Sequence, residues 1–164
     1  MSRIGIFLDR DGTINEEVDF LSDPKELRLI PRAAEAIRQA NELGAVVCVV
    51  TNQSGIARGL VSEEQLVVIH DVMSAELAKE GARIDAYYHC PHHPTLGEGP
   101  LRVECDCRKP HTGMVDRAVA QFGIDTTRSF VVGDRLLDVR LANAIGASGI
   151  LVRTGYGSTV LSSP

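Results

Sequence analysis

Short apolar runs alternate along the chain with stretches in which apolar residues recur at helical spacing. Five of these runs lack the polar alternation of a half-exposed strand, which predicts β-strands that are buried on both faces. In chain order they are IGIFL from Ile4, AVVCVV from Ala45, AYYH from Ala86, SFVVG from Ser129 and GILV from Gly149.

The stretches between these runs predict four helices. Apolar residues spaced three and four apart indicate a helix within 31–44, and Ser62 with Gln65 forms a capping-box pattern that opens a long helix ending near Gly81. Thr112 is predicted to cap a helix over 113–123, and a short helix is expected within 138–146. Alternating strands and helices predict one α/β domain over 1–164, built on a doubly wound, mostly parallel, Rossmann-like sheet.

Polar residues follow four of the predicted strands. Because parallel sheets bind ligands at the carboxyl ends of their strands, we expect these residues to meet at one edge of the sheet. In chain order they are Asp9 and Asp11, then Thr51, Asn52, Gln53 and Ser54, then Arg108 and Lys109, and finally Asp134 and Asp138.

The chemistry of this set indicates phosphoryl transfer. Carboxylates without a histidine suit magnesium, while the lysine, hydroxyl and amide donors suit a phosphoryl group. An aspartate would then be the nucleophile and form an aspartyl-phosphate. Each segment alone is also typical of a turn, a loop or the start of a helix. Their joint occurrence at successive strand ends favours the catalytic interpretation.

The segments FLDRDGT, VVTNQ, RKP and VVGDRLLD resemble the four motifs of the haloacid dehalogenase (HAD) superfamily of phosphatases. The resemblance implies that Asp9 attacks phosphorus and that Asp11 protonates the leaving oxygen and then activates water. It also implies that Thr51 and Lys109 hold the transferring group. Asp134 would complete a magnesium site with Asp9 and the main-chain carbonyl of Asp11. Asp138 is left with two interpretations, since it would either orient Lys109 or a metal-bound water, or only cap its helix.

Three of the four cysteines lie within one loop, between Cys90 and Cys107. The pattern Cys-x-His followed by twelve residues and Cys-x-Cys is typical of a closed tetrahedral zinc site with Cys90, His92, Cys105 and Cys107 as ligands. His93 is an alternative imidazole. A site with four protein ligands predicts structural zinc that stabilises a zinc-binding loop over about 88–109, next to Arg108 and Lys109. Cys48 is expected to be a core residue.

The zinc loop and TNQSGIARG resemble the branch of the superfamily that lacks a large cap domain and contains heptose-bisphosphate and histidinol phosphatases. By this resemblance, Arg108 recognises a distal phosphate, and Gln53, Ser54 and Arg135 lie nearby. The Arg135 carbonyl would be close to the magnesium ion. A substrate loop is implied at Glu17, Val18, Asp19 and Phe20; Asp19 stands where a glycine is common in the family.

The composition and charge of the chain limit the kinds of partner that we expect. The chain has 164 residues, a hydrophobic fraction of 44% and a net charge of -5 without a basic cluster, which disfavours nucleic acid and membranes as partners. No signal peptide is recognised at the N-terminus, and we expect a cytoplasmic monomer.

The function implied by the resemblance is magnesium-dependent hydrolysis of the 7-phosphate of a D-glycero-D-manno-heptose 1,7-bisphosphate. A histidinol-phosphate phosphatase or another small sugar-phosphate phosphatase is the alternative enzyme. An inactive zinc-binding interaction domain is the alternative from a different class of protein.

Overall fold

The computed structural model describes residues 1–162 of the chain. Each of the five predicted strands forms, and no boundary differs from the prediction by more than two residues. The strands are β1 (Gly5–Leu8), β2 (Val46–Asn52), β3 (Ala86–Cys90), β4 (Phe130–Gly133) and β5 (Ser148–Leu151).

These strands pair in parallel in the order β3–β2–β1–β4–β5. The chain proceeds outward from β1 through β2 to β3, then returns to the other side of β1 for β4 and β5. The reversal lies between β1 and β4, and a crevice at such a point is where open α/β sheets bind ligands.

Helices cover both faces of the sheet, as predicted for a sheet built from continuous apolar runs. They are α1 (Ala33–Glu42), α2 (Glu63–Ala78), α3 (Gly113–Phe122), α4 (Leu136–Ile145) and a short α5 (Gly157–Ser162) that the sequence pattern did not predict. Three one-turn 3₁₀ helices lie at Pro24–Glu26, Gly99–Leu101 and Thr126–Arg128.

Alternate residues of β2 supply the two cores of the fold. Val47 and Val49 pack on the face covered by α1 and α2, while Cys48 and Val50 pack on the face covered by α3 and α4. Cys48 is fully buried, which confirms it as a core residue.

The two predicted helix caps have different outcomes. Ser62 accepts a hydrogen bond from the Gln65 amide at 3.0 Å and donates its own amide proton to Gln65 Oε1 at 2.8 Å, which confirms the capping box. The prediction that the Thr112 side chain caps α3 was wrong. Thr112 precedes α3, but its hydroxyl donates to Asp116 Oδ2 at 2.8 Å and accepts no amide of the first turn.

None of the helices within residues 1–162 combines the length and the apolar character needed to cross a lipid bilayer.

Candidate active site

The carboxyl ends of the strands meet at a cleft that is lined by most of the residues predicted for catalysis and substrate binding. Asp9 follows β1, Thr51 and Asn52 end β2, and Asp134 follows β4. The residues that line the cleft are Asp9, Asp11, Glu17, Asp19, Phe20, Thr51, Asn52, Gln53, Ser54, Arg108, Lys109, Arg135, Leu137 and Tyr156.

Lys109 is buried between two carboxylates at the floor of the cleft. Its Nζ lies 3.0 Å from Asp9 Oδ1 and 2.7 Å from Asp138 Oδ1. Burial alone would lower the pKa of Lys109, but the charges of Asp9 and Asp138 outweigh burial and raise it. The amine is therefore a cation fixed beside the Asp9 carboxylate.

Asn52 fixes the main chain of Lys109. Its Oδ1 accepts from the Lys109 amide at 2.9 Å, and its Nδ2 donates to the Lys109 carbonyl at 3.2 Å. The sequence indicated Asn52 as a donor for a phosphoryl group, but both ends of its side-chain amide are used on the backbone of Lys109.

Three buried carboxylates, those of Asp9, Asp134 and Asp138, bring oxygen atoms within 4.8 Å of one another. Burial raises the pKa of Asp134 to about 7, and the neighbouring Asp9 carboxylate adds to the rise. Among the described residues, Asp134 Oδ1 is buried without a hydrogen-bond partner. An orphaned buried carboxylate oxygen beside a second carboxylate fits a hard divalent cation such as magnesium.

Asp138 has both of the roles that the sequence left open. One oxygen accepts from Lys109 Nζ, and Oδ2 accepts from the Arg135 amide at the start of α4 at 3.2 Å. Because both oxygens are occupied, Asp138 orients Lys109 and caps its helix.

The side chain of Asp11 is held apart from that of Asp9. Its two oxygens accept hydrogen bonds from Arg10, from Asn15 Nδ2 at 3.0 Å and from Gln53 Nε2 at 3.0 Å. Burial would raise the pKa of Asp11, but the charge of Arg10 and these hydrogen bonds outweigh burial and lower it. The two aspartates of the first motif therefore differ in surroundings, which suits two separate chemical roles.

The implied substrate loop borders the cleft with three of its four residues. Asp19 and Phe20 have positive φ angles of 46° and 56°, a left-handed region that favours glycine. The guanidinium of Arg58 lies 4.8 Å from the centre of the Phe20 ring. Val18 instead lines a neighbouring cavity with Glu16 and Ile30.

The predicted zinc ligands come together at the end of β3. Cys107 Sγ lies 2.9 Å from Cys90 Sγ and 3.5 Å from Cys105 Sγ, and His92 Nδ1 lies 3.3 Å from Cys107 Sγ. All three cysteines are free thiols. Three sulfur atoms and one imidazole nitrogen within 4.8 Å of one another fit a tetrahedral zinc site.

His93 is not part of this cluster. Its Nδ1 accepts from the amides of Thr95 and Leu96 at 3.1 and 2.9 Å, so the ring stabilises a turn of the loop. Arg108 connects the cluster to the cleft, because its amide donates to Cys105 Sγ at 3.4 Å and its NH1 donates to the His92 carbonyl at 3.3 Å.

Tyr156 and Arg10 contribute to the site but were not identified from the sequence. Tyr156 lies beyond β5, its amide donates to Asp134 Oδ2 at 2.9 Å, and its ring is 4.1 Å from the Arg135 guanidinium carbon. Extending the search for strand-end residues to the fifth strand would have found it. Arg10 is present in the first motif but received no role, since nothing in the sequence indicates that its side chain turns inward.

The comparisons with known proteins agree with this arrangement. A family model described as HAD-hydrolase-like matches residues 106–161. The chain is 42% identical over 152 residues to D-glycero-beta-D-manno-heptose-1,7-bisphosphate 7-phosphatase of Photorhabdus laumondii, covering 92% of this chain and 80% of that one. It is also 42% identical to the Escherichia coli protein of the same name over 151 residues, covering 92% and 79%.

A solved structure extends the similarity to the fold. The D,D-heptose 1,7-bisphosphate phosphatase of B. bronchiseptica, complexed with magnesium and phosphate, superposes with a TM-score of 0.86 at 38% identity, covering 97% of this chain and 86% of that one. The two curated relatives are matched over 80% and 79% of their own length. The chain therefore belongs to the D-glycero-β-D-manno-heptose-1,7-bisphosphate 7-phosphatase family of HAD-like hydrolases.

Proposed function

We propose that this chain removes the 7-phosphate of D-glycero-D-manno-heptose 1,7-bisphosphate through an aspartyl-phosphate on Asp9. The observation that carries the proposal is that Lys109 and Arg108 line one cleft in different settings. Lys109 is buried against Asp9 at the floor, whereas Arg108 is partly exposed at the wall. A substrate with two phosphates can use both.

In the first half of the reaction Asp9 is the nucleophile. A bond forms between its carboxylate oxygen and phosphorus while the bond from phosphorus to the sugar oxygen breaks, and Asp11 gives that oxygen a proton. A phosphate dianion bound beside Asp11 favours its protonated form, because like charges raise the pKa of a carboxyl group. Lys109 and Thr51 hold the phosphoryl oxygens.

In the second half, water attacks the phosphorus of the aspartyl-phosphate. Asp11, now ionised, accepts a proton from that water, and the bond between phosphorus and Asp9 breaks to restore the carboxylate. The donors around Asp11, namely Arg10, Asn15 and Gln53, stabilise the ionised form that this step needs.

The magnesium ligands in this proposal are the carboxylates of Asp9 and Asp134 and the main-chain carbonyls of Asp11 and Arg135. When bound there, the ion supplies positive charge that offsets the repulsion between the phosphate and the Asp9 carboxylate. The partnerless Oδ1 of Asp134 is the feature of this chain that supports the assignment.

Zinc at Cys90, His92, Cys105 and Cys107 has a structural role in this proposal, because four protein ligands leave no position open for substrate. It acts on the cleft through Arg108, whose amide and guanidinium contact the cluster residues Cys105 and His92. Substrate contacts are assigned to Arg108, Ser54, Arg135 and the loop of Glu17, Val18, Asp19 and Phe20, with Gln53 between Thr51 and Asp11.

A comparison of kcat/KM across a substrate panel tests the proposal. The panel contains the heptose 1,7-bisphosphate, the heptose 7-phosphate, other sugar phosphates and histidinol phosphate. We expect the bisphosphate to have the highest kcat/KM, by about tenfold or more over the monophosphate, because one charge-assisted contact contributes about 1.5–3 kcal/mol. A higher kcat/KM for histidinol phosphate would contradict the proposal.

A further inference from the structure

Arg10 is a charged side chain with no exposure to solvent, and it sits between the two aspartates of the first motif. Its guanidinium reaches both oxygens of Asp11. The distances are 3.2 Å from Nε to Oδ1, 2.9 Å from NH2 to Oδ1 and 3.0 Å from NH2 to Oδ2. A planar fork that contacts both oxygens restricts the plane of the carboxylate as well as its position.

A second layer of side chains supports the guanidinium from the side away from Asp11. Arg10 NH1 lies 3.3 Å from His70 Nε2, and the His70 ring stacks on Tyr87 with centroids 4.3 Å apart. The Tyr87 hydroxyl in turn lies 2.8 Å from Ser74 Oγ. Because arginine has no acceptor, His70 Nε2 must be the unprotonated nitrogen of a neutral ring. The guanidinium is thus held by the buried His70 of α2, which stacks on the partly buried Tyr87 of β3.

A purely structural role would not explain this arrangement. A buried ion pair is weak as a source of stability, and apolar residues of similar volume often serve a core as well. Asp11 is also not fully enclosed, because 20% of its side chain remains exposed at the cleft. One partner of the pair therefore faces the substrate, while the other faces the core.

We infer that Arg10, supported by His70, is a positioning residue that aims the Asp11 carboxyl group at the oxygen leaving phosphorus. The inference rests on the proposed function, in which Asp11 is the proton donor. Asn15 and Gln53 contact one oxygen each, so among the described residues Arg10 alone contacts both.

Two substrates with different leaving groups distinguish a positioning role of Arg10 from a general loss of activity. kcat/KM covers the steps up to the formation of the aspartyl-phosphate, and a sugar alkoxide needs a proton in those steps. p-Nitrophenolate leaves without one. Arg10→Lys keeps the charge but loses the fork, so kcat/KM for the heptose bisphosphate should fall about tenfold to a hundredfold, with a change of about threefold or less for p-nitrophenyl phosphate.

Two further sets of variants accompany Arg10→Lys. His70→Gln retains an acceptor for Arg10 NH1 and His70→Leu does not, so the leucine variant should show the larger selective loss on the bisphosphate. Cys48→Ala creates a cavity in the fully buried core away from the cleft, and it should lower the melting temperature while leaving the ratio of the two kcat/KM values at its wild-type value.

Equal losses on the two esters in Arg10→Lys would overturn the inference and leave the proposed function intact. Wild-type protein that hydrolyses neither ester would overturn the proposed function itself. If Arg10→Lys does not fold, the two His70 variants test the inference. The same ratio of kcat/KM for the bisphosphate to kcat/KM for p-nitrophenyl phosphate in His70→Gln and His70→Leu would overturn it. If p-nitrophenyl phosphate is turned over too slowly to measure, a crystal structure of His70→Leu tests the inference. An Asp11 carboxylate that keeps its wild-type plane in that structure would overturn the inference.

Discussion

Lys109, Asp9 and Asp138 are buried together, and at the scale of single residues this grouping explains how the site tolerates charge away from water. One cation between two carboxylates leaves a net negative charge, to which Asp134 adds a further carboxylate. Burial of unpaired charge is costly, so such a cluster favours the binding of a cation. The sequence indicated each of these residues, because each follows a recognisable strand.

His70 provides a prediction about stability and pH. Burial, and then the charge of Arg10, lower its pKa to about 3, whereas an unfolded chain has the ordinary histidine value. As pH falls below about 6.5, the unfolded state gains a proton that the folded state does not, so stability decreases. Relative to His70→Gln, the wild type should lose about 2 kcal/mol of unfolding free energy between pH 7 and pH 5.

Chemical denaturation of both proteins at several pH values measures this difference. The His70→Gln variant controls for every other titrating group, since those groups are common to both chains. Unfolding free energies that change in parallel between pH 7 and pH 5 would show that His70 is protonated in the folded protein as readily as in the unfolded one.

At the scale of elements, the turn after β1 and the turn after β5 enclose Asp134 from two sides. Gly12 has a φ angle of 82°, and a Cβ atom at either Gly12 or Gly155 would collide with Asp134 Oδ2. Thr154 Oγ1 joins the two turns by donating to the Gly12 carbonyl at 2.7 Å. The position of Asp134 therefore depends on the absence of side chains around it.

Gly12→Ala should lower activity by a hundredfold or more, on the order of the loss expected when a positioned group is displaced by about 1 Å. Gly44→Ala is the matched control, because Gly44 has a φ of 80° and nothing within 4 Å of an added Cβ atom. Both variants should lose about 1 kcal/mol of stability from the left-handed conformation. Assays with titrated magnesium measure the difference, and equal activity in the two variants would contradict this account of Gly12.

The zinc loop is the second element with a testable role. Protein purified without added metal should contain about one zinc per chain by elemental analysis, since the loop around Cys105 and Cys107 has few buried apolar side chains to stabilise it. Cys107→Ser should lose zinc and activity but keep its magnesium requirement. Cys48→Ala, which removes the thiol outside the loop, should retain the zinc. A folded, active wild-type protein without zinc would rule out the site.

The elements also show why part of the structure could be predicted and part could not. The strands of the sheet and the Cys/His cluster are local patterns in the sequence, and the period of apolar residues and the spacing of cysteines and histidine identify them. The direction of the Arg10 side chain depends on His70, which is sixty residues away in sequence. Tyr156, which follows β5, belongs to the site because its amide contacts Asp134, twenty-two residues away in sequence. Such long-range pairings leave no periodic signal in the chain.

At the scale of the whole molecule, the reversal of strand order between β1 and β4 sets the extent of the cleft. It spans the sheet edge from Tyr156 after β5, past Asp9 at the centre, to Arg108 beside the zinc loop. A small molecule with phosphates at both ends matches this arrangement of charge better than one with a single phosphate.

Arg108 tests this arrangement. Arg108→Ala should lower kcat/KM for the heptose bisphosphate about tenfold to a hundredfold, because it removes a charge-assisted contact to the distal phosphate. The same change should have little effect on a monophosphate. Lys109→Ala should impair both substrates, since each presents a transferring phosphoryl group. Equal losses on the two substrates in Arg108→Ala would assign Arg108 to the catalytic machinery instead.

The most direct test of the central claim is ³¹P NMR of D-glycero-D-manno-heptose 1,7-bisphosphate incubated with the enzyme and magnesium. The account predicts loss of the C7 phosphate signal, growth of inorganic phosphate and retention of the C1 phosphate, with no change when folded Asp9→Asn replaces the wild type. Release of the C1 phosphate, no release by the wild type, or turnover by Asp9→Asn would contradict it.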